Sequence, residues 1–339
     1  MNIKSLKYAL LLMLSVFITG QLEAQQDPQF SMNMSTKLYV NPAFAGMNDG
    51  ICVNMLGRQQ WVGFEGRPET YLMSGHGTFM IPGIHLRSGG GISLIGDGLG
   101  QMHFTGLKAS YSAHIPLNFI GGEPGHLGIG VSAGLLQVAM GSNWRSNVEA
   151  YLDPVINDVQ YAVNGFDMDL GIYYRTKDVF FGLSATHLNA ADFQAEGSEL
   201  VDFGGVAWNT QFDMARHFYL MGGYDFEIPN YNLIVLKPSV FVKTDLVSAQ
   251  IDLNMIAEWN HFLWGGITYR YNDAIVALGG VNIGPSFIPK GNIRAGYAYD
   301  VTTSRIGKGS NGSHELFVQY CLKLKTQPPV QKHKTVRFL

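Results

Sequence analysis

From residue 51 onward, apolar and polar positions alternate with a period of two, segment after segment. In AQIDLNMIAEW (249–259), Ala249, Ile251, Leu253, Met255, Ala257 and Trp259 fall on one side. Gln250, Asp252, Asn254 and Glu258 fall on the other, with Ile256 out of step. In FDMDLGIYYR, Met168, Leu170, Ile172 and Tyr174 oppose Asp167, Asp169 and Arg175. HELFVQYCLKL sets Leu316, Val318, Tyr320 and Leu322 against Glu315, Gln319 and Lys323, and NIRAGYAYD behaves alike. A helix would mix these sets, because its faces recur every 3.6 residues. The pattern predicts about fourteen antiparallel strands. They fall near 51–61, 69–79, 88–96, 102–115, 126–140, 166–176, 178–188, 214–227, 233–245, 248–259, 261–272, 274–284, 292–303 and 314–324.

A soluble sandwich also presents one apolar face per strand. Sandwich strands are commonly about 5–6 residues long, whereas a tilted strand needs about 9–11 to cross a bilayer. Most of the segments here have the longer length. Aromatics near strand ends (Trp259, Trp264, Tyr297, Tyr299) read as an interfacial girdle. The opposite faces carry ionisable groups, as a water-filled or plugged lumen would. The expected fold is therefore all-β: a transmembrane outer-membrane β-barrel over 51–324, with an N-terminal periplasmic or lumenal leader over 25–50.

Composition agrees. Charged residues are 14%, aromatics 12%, and 41 of 339 residues are Gly, against a usual Gly share of about 7%. A net charge of −3 gives no sign of nucleic-acid binding. Residues 1–24 read as a signal peptide: Lys4 and Lys7 precede an apolar stretch, Ala9–Ile18, too short to span a bilayer as a helix. The residue after the expected cut is Gln25 rather than Cys, which argues against a lipid anchor. The chain closes on a basic tail, 325–339. If strand one starts in the periplasm, the long connections 141–165 and 189–213 are extracellular and the tail is periplasmic.

The leader QDPQFSMNMSTKLYVNPAFAG (26–46), followed by RQQWVGFEGRPETYLMSGH (58–76), resembles the N-terminal signature of the PorP/SprF family. GGGISLIGDGLGQMHFTGLKASYSAHIPL, LDPVIND, GFDMDLGIYYR, GLSATHL, FYLMGGYDFEI, IRAGYAYD and HELFVQY follow in that family's order. One departure is Ala113, where relatives often carry a second aromatic. The resemblance covers roughly 25–324. It implies a non-enzymatic type IX secretion system membrane protein of the Bacteroidota outer membrane. Such a protein supports secretion or surface anchoring of cargo adhesins, in some members for gliding motility. The partners it implies are outer-membrane lipid, cargo with a C-terminal sorting domain, and periplasmic type IX components. Neither a cofactor nor a metal is expected, nor nucleic acid.

Two groups of candidate site residues stand out. In the leader, Phe30, Tyr39 and Phe44 need burial, Asn41-Pro42 is a turn signal, and Gly46 offers a permissive backbone position. These residues fit a lumenal plug or a periplasmic contact, beside the plainer reading of a lead-in packed on the barrel rim. Because it precedes strand one, the leader is expected to start in the periplasm. Arg58, Trp61, Gly63 and Phe64 mark the outer end of strand one. They fit a cap or cargo contact, beside the plainer and preferred reading of a girdle Trp and a hairpin.

Motifs for catalysis are not apparent. The ten His show no metal-ligand spacing. His76, His114 and His187 fall on polar faces and read as lumen residues. Ser184 and His187 in one strand do not make a triad, and no Gly-x-Ser-x-Gly elbow is present. GGGISLIGDG (89–98) lacks the Gly-Lys-Ser/Thr ending of a phosphate loop, and its glycines read as aids to curvature. An outer-membrane diffusion channel for small solutes shares fold and polar lumen, and only the resemblance separates it. A secreted β-sandwich lectin is a weaker third reading.

The two cysteines are informative. Cys52 opens strand one and Cys321 lies near the end of strand fourteen. Barrel closure makes these strands antiparallel neighbours. Both thiols lie near the inner rim and on the lumen face. In an oxidising compartment a bridge follows if they stand opposite one another. A register two residues away would leave two free buried thiols.

Overall fold

The structure is a computed structural model. It describes residues 27–323 apart from 82, 84–85, 118–123, 142–160, 195–210, 229–232, 285–287 and 289. The expected signal peptide (1–24), the basic tail and most of the two long connections lie outside the described residues.

Fourteen strands form the barrel wall: β1 Gly50–Gln59, β2 Glu69–Ile81, β3 Leu86–Leu99, β4 Met102–Pro116, β5 His126–Met140, β6 Tyr161–Arg175, β7 Val179–Thr186, β8 His217–Tyr224, β9 Ile234–Thr244, β10 Ala249–Trp259, β11 Leu263–Arg270, β12 Ala274–Ile283, β13 Gly291–Thr302 and β14 Ser313–Lys323. Each pairs antiparallel with its sequence neighbours, and β1 pairs with β14, so the sheet is closed. Phe226–Glu227 extends the pairing on β9, and Asp192–Gln194 pairs with Gln211–Asp213 outside the wall. The end where β1 begins is called inner, and the opposite end outer.

The period-two pattern becomes two environments. Ile51, Val53, Met55, Met73, Leu94, Leu253 and Leu316 are exposed on the outside, as a lipid-facing band requires. Asn54, Arg58, Asp167, Asp169, Asp252 and Glu315 are buried on the inside. The hydrophobic core also lies inside the barrel. Leu38, Tyr39, Val40 and Phe44 of the leader cluster there with Leu56, Leu72, Tyr173, Ile256 and Phe317 of the wall. That contact explains why Ile256 breaks the alternation of its strand: it faces the leader, not water.

The expected girdle is corrected at Trp264. It is buried, with its ring centroid 5.8 Å from that of Phe317 and the Arg294 guanidinium 4.8 Å away. Leu263, one position earlier, is the exposed neighbour. Half-exposed Trp259 stays on the outer surface. An aromatic beside a turn looks the same in sequence whether it faces lipid or a filled lumen.

Candidate functional site

Residues 27–47 run down the lumen from the outer end to the inner end. They form two short 3-10 turns, Asn33–Ser35 and Pro42–Phe44, around one helical turn, Lys37–Val40. The leader is expected to start at the end where strand one starts; its first described residue instead lies at the opposite end. The cause is a set of polar wall groups near the outer end that bind the leader backbone directly.

Asp27 is the first of these anchor points, and it is fully enclosed. Its backbone N–H donates to His217 Nε2 (3.3 Å), and its carbonyl accepts from Lys243 Nζ (2.8 Å). Its Oδ2 accepts from the Thr186 and Tyr219 hydroxyls. Its Oδ1 lies 2.9 Å from His187 Nε2, and His187 Nδ1 lies 3.0 Å from Asp167 Oδ2. Lys108 Nζ then bridges Asp167 (2.6 Å) and Asp169 (2.9 Å). Charges alternate along this string, so each buried ion has an opposite neighbour, the condition under which burial is tolerated.

Ser31 is the second anchor. Its N–H and that of Met32 each donate to the Glu315 carboxylate at 2.7 Å. Its hydroxyl donates to Asp300 (2.7 Å) and accepts from Arg58 Nη1 (2.6 Å). Arg58 also meets Asp300 at 2.9 Å and Glu315 at 3.2 Å. Arg270 pairs with Asp252 and Asp300, each at 3.1 Å, and donates to the Phe30 carbonyl at 2.9 Å. Register builds this cluster, setting Arg58 opposite Glu315 and Asp252 opposite Arg270.

The third anchor is the Asn-Pro turn. Asn41 Oδ1 accepts from the Ala43 N–H (2.9 Å) and so caps the turn that Pro42 starts. Asn41 Nδ2 donates to the Ile172 carbonyl at 3.0 Å. Ser184, Ser112 and His114 bond the carbonyls of Val40, Ala43 and Ala45 at 2.6, 3.0 and 2.9 Å. The wall makes room with glycine. A Cβ at Gly171 would fall on Asn41 Oδ1, one at Gly130 on the Ala43 backbone, and one at Gly89 on the Ala45 carbonyl. Gly46, at φ +68, sits against Gly89 in turn. At Gly89 the reading of glycine as an aid to curvature is therefore corrected: there it admits the leader's backbone.

Phe30, Tyr39, Asn41, Pro42, Phe44 and Gly46 thus come together inside the barrel, all buried. The second predicted group does not. Arg58 is a lumen residue, with side-chain exposure of 1%. Trp61, Gly63 and Phe64 lie in the connection after β1, which hydrogen-bonds to the connection before β14 through Val62 and Gly312 (2.8 Å) and Asn311 and Val62 (2.7 Å). Phe64 packs on Gly309, and Gly63 faces the Asn311 amide. Cys52 and Cys321 stand opposite one another in the β1–β14 register, Cα atoms 4.1 Å apart, and are joined by a disulfide.

Sequence reading missed Asp27, Ser31, Lys108 and Arg270. Alternation puts the last two on the lumen face, but their partners depend on register and on where the leader runs. Two clusters, Asp27/His187/His217 and Asp167/Asp169/His187, bring three metal-ligand atoms each within 4.8 Å of one another. The contacts above already engage both clusters, with Lys108 supplying a cation to the second. What the arrangement does chemically is hold a peptide in place.

The model of the family described as type IX secretion system membrane protein PorP/SprF matches residues 22–320. The chain belongs to this family. The PorP/SprF assignment and the closed fourteen-strand sheet agree on a membrane-spanning barrel of outer-membrane type. No curated protein sequence matches the chain. Among solved structures, the CymD monoaromatic hydrocarbon channel is 12% identical with a TM-score of 0.49, over 86% of this chain and 93% of its own. A Pseudomonas aeruginosa FadL homologue is 11% identical with a TM-score of 0.49, over 85% and 94%. The translocator domain of the autotransporter NalP from Neisseria meningitidis is 16% identical with a TM-score of 0.41, over 82% and 89%. Likeness at this level does not bear on what this barrel does.

Proposed function

We propose that this barrel serves the type IX secretion system at the outer membrane of a Bacteroidota-type bacterium. There it supports secretion or surface anchoring of cargo adhesins that carry a C-terminal sorting domain, and acts beside periplasmic components of the system. In this reading residues 1–24 are removed on export. The inner end faces the periplasm, and the connections after β5 and β7 face outward. Gliding motility is one use such a member serves. The observation that carries the reading, beside family membership, is the lumen filled by the chain's own leader. A diffusion channel needs an open path, and the three sets of anchors on residues 27–47 count against it.

The test is deletion of the gene followed by surface labelling of adhesins bearing type IX sorting domains. The expected outcome is loss of at least one such adhesin from the surface, restored by the intact gene. Unchanged display of every such adhesin, together with reduced uptake of small solutes, would favour the channel instead.

A further inference from the structure

The inner mouth of the lumen holds a cavity of about 750 Å³, within the usual size range for binding pockets of about 300–1,000 Å³. Its charge is one-sided. Arg87, Arg175, Lys177, Arg294 and Lys323 line it against a single carboxylate, Asp49, in a chain whose net charge is −3. The cations come from two stretches of the wall. Arg87 and Arg175 come from β3 and β6, with Lys177 in the following turn; Arg294 and Lys323 come from β13 and β14. The floor is the end of the leader and the Cys52–Cys321 bridge.

Lys177 pairs with Glu227 at 3.2 Å, but the three arginines are weakly satisfied. Among the described residues Arg175 has no carboxylate within ion-pair distance; its Nη1 donates to the neutral Asn48 Oδ1 at 2.8 Å. Arg294 reaches Glu258 only at 3.8 Å. Arg87 pairs with Asp49 at 2.7 Å, but that carboxylate is 77% exposed. Among the described residues, the Nε atoms of Arg87 and Arg294 and Nδ1 of His126 are buried without a hydrogen-bond partner. The outer-end clusters, by contrast, surround each arginine with carboxylates. Neutral amides, Asn282, Asn292 and Gln319, line the β12–β14 side beside Arg294; such groups can both donate to and accept from a peptide backbone.

We propose that this inner vestibule is a docking site for a carboxylate-rich polypeptide segment presented from the periplasm. A small anion is held by donors that converge on one point. Here the cations are spread around a wide cavity with amides along one side, which suits acidic side chains along an extended chain. A lipid headgroup is disfavoured because the cavity opens inside the wall, away from the lipid-facing band. Field lines focused by a cationic, low-dielectric mouth also steer an acidic partner inward. The side of the membrane rests on the orientation proposed above; the site itself does not.

The test uses the full-length protein in nanodiscs and fluorescence anisotropy. The probes are a labelled peptide of alternating Glu and Ser and its Lys/Ser counterpart. The Glu/Ser peptide should bind, more weakly as salt rises, and the Lys/Ser peptide should not. Arg175→Gln with Lys323→Gln should weaken binding about tenfold, whereas Arg216→Gln at the outer end should leave it unchanged. Lys323→Glu alone, at an exposed strand end, gives the same direction if the double variant folds poorly. Equal binding of both peptides, unchanged affinity in the variants, or displacement of the peptide by equimolar inorganic phosphate would each overturn the proposal. Binding in nanodiscs does not depend on orientation in the cell, so this result stands apart from the adhesin-display result.

Discussion

Arg58 and Glu315 face one another across the seam between the first and last strands, and both bind the same leader residue, Ser31. The closure of the barrel and the seating of its plug are therefore one set of contacts. Arg58→Met leaves the Glu315 and Asp300 carboxylates short of a buried counter-ion. The expected cost is about 3–5 kcal/mol of unfolding free energy, read from urea titration in lipid vesicles. Protease sites in the leader should open in the same variant. A cost within that of a surface substitution would mean the cluster does not hold the plug.

Gly171→Ala tests the seat of the Asn-Pro turn. The new methyl group would meet Asn41 Oδ1, with an overpacking cost of about 1–3 kcal/mol. Gly96→Ala is the control, since a Cβ there meets nothing within 4 Å, and it should stay within about 0.5 kcal/mol. Planar-bilayer recordings add a second readout. Deletion of residues 27–47 should give a steady conductance that the intact protein lacks. A large open conductance in the intact protein would point back to a solute channel.

Mapping without reductant should recover Cys52 and Cys321 in one linked peptide pair. The bridge spans 269 residues of sequence. Cys52→Ser with Cys321→Ser should lower stability by about 2–4 kcal/mol, and the intact protein should lose the same amount on reduction. Two thiols that alkylate freely in protein never exposed to reductant would contradict the linked seam.

The wall was largely legible in the sequence. Period two separates Leu253 from Asp252 in the sequence, and the structure puts the first outside and the second inside. Strand boundaries moved by a few residues; β3 gained three residues at its outer end, and β6 five. The contents of the barrel were less legible, for a physical reason. Alternation says that a residue faces inward, but not what it meets there. Alternation put Arg58 on the inward side with Cys52 and Asn54, but not against Ser31, and Trp264 read as a lipid anchor, because neither pattern reveals a filled lumen. Asp27 carried no periodic signal. Its role depends on Thr186, His187, His217, Tyr219 and Lys243, which register and topology bring to one place.

The outward face gives a further check. Leu253 is 52% exposed on the lipid side of β10. Leu253→Arg should destabilise the barrel by about 2–4 kcal/mol if it sits near the bilayer midplane, measured by refolding into vesicles. Leu253→Ala should cost much less. An equal penalty for the two would place this position away from the hydrocarbon. Asn254, its inward neighbour, is buried and accepts from the Thr268 hydroxyl at 2.7 Å.

The disulfide between Cys52 and Cys321 turns the wall into a covalent ring, and residues 27–47 pass through that ring. In topological terms the molecule is a lasso, its tail threaded through its own loop. Once the bond has formed, the tail leaves only by sliding lengthwise, end first, through a bore lined with its anchors. Assembly has two routes: the tail is enclosed before the ring is locked, or it is threaded end first afterwards. A force applied to the N-terminal end would be borne by the whole hoop and not by one strand.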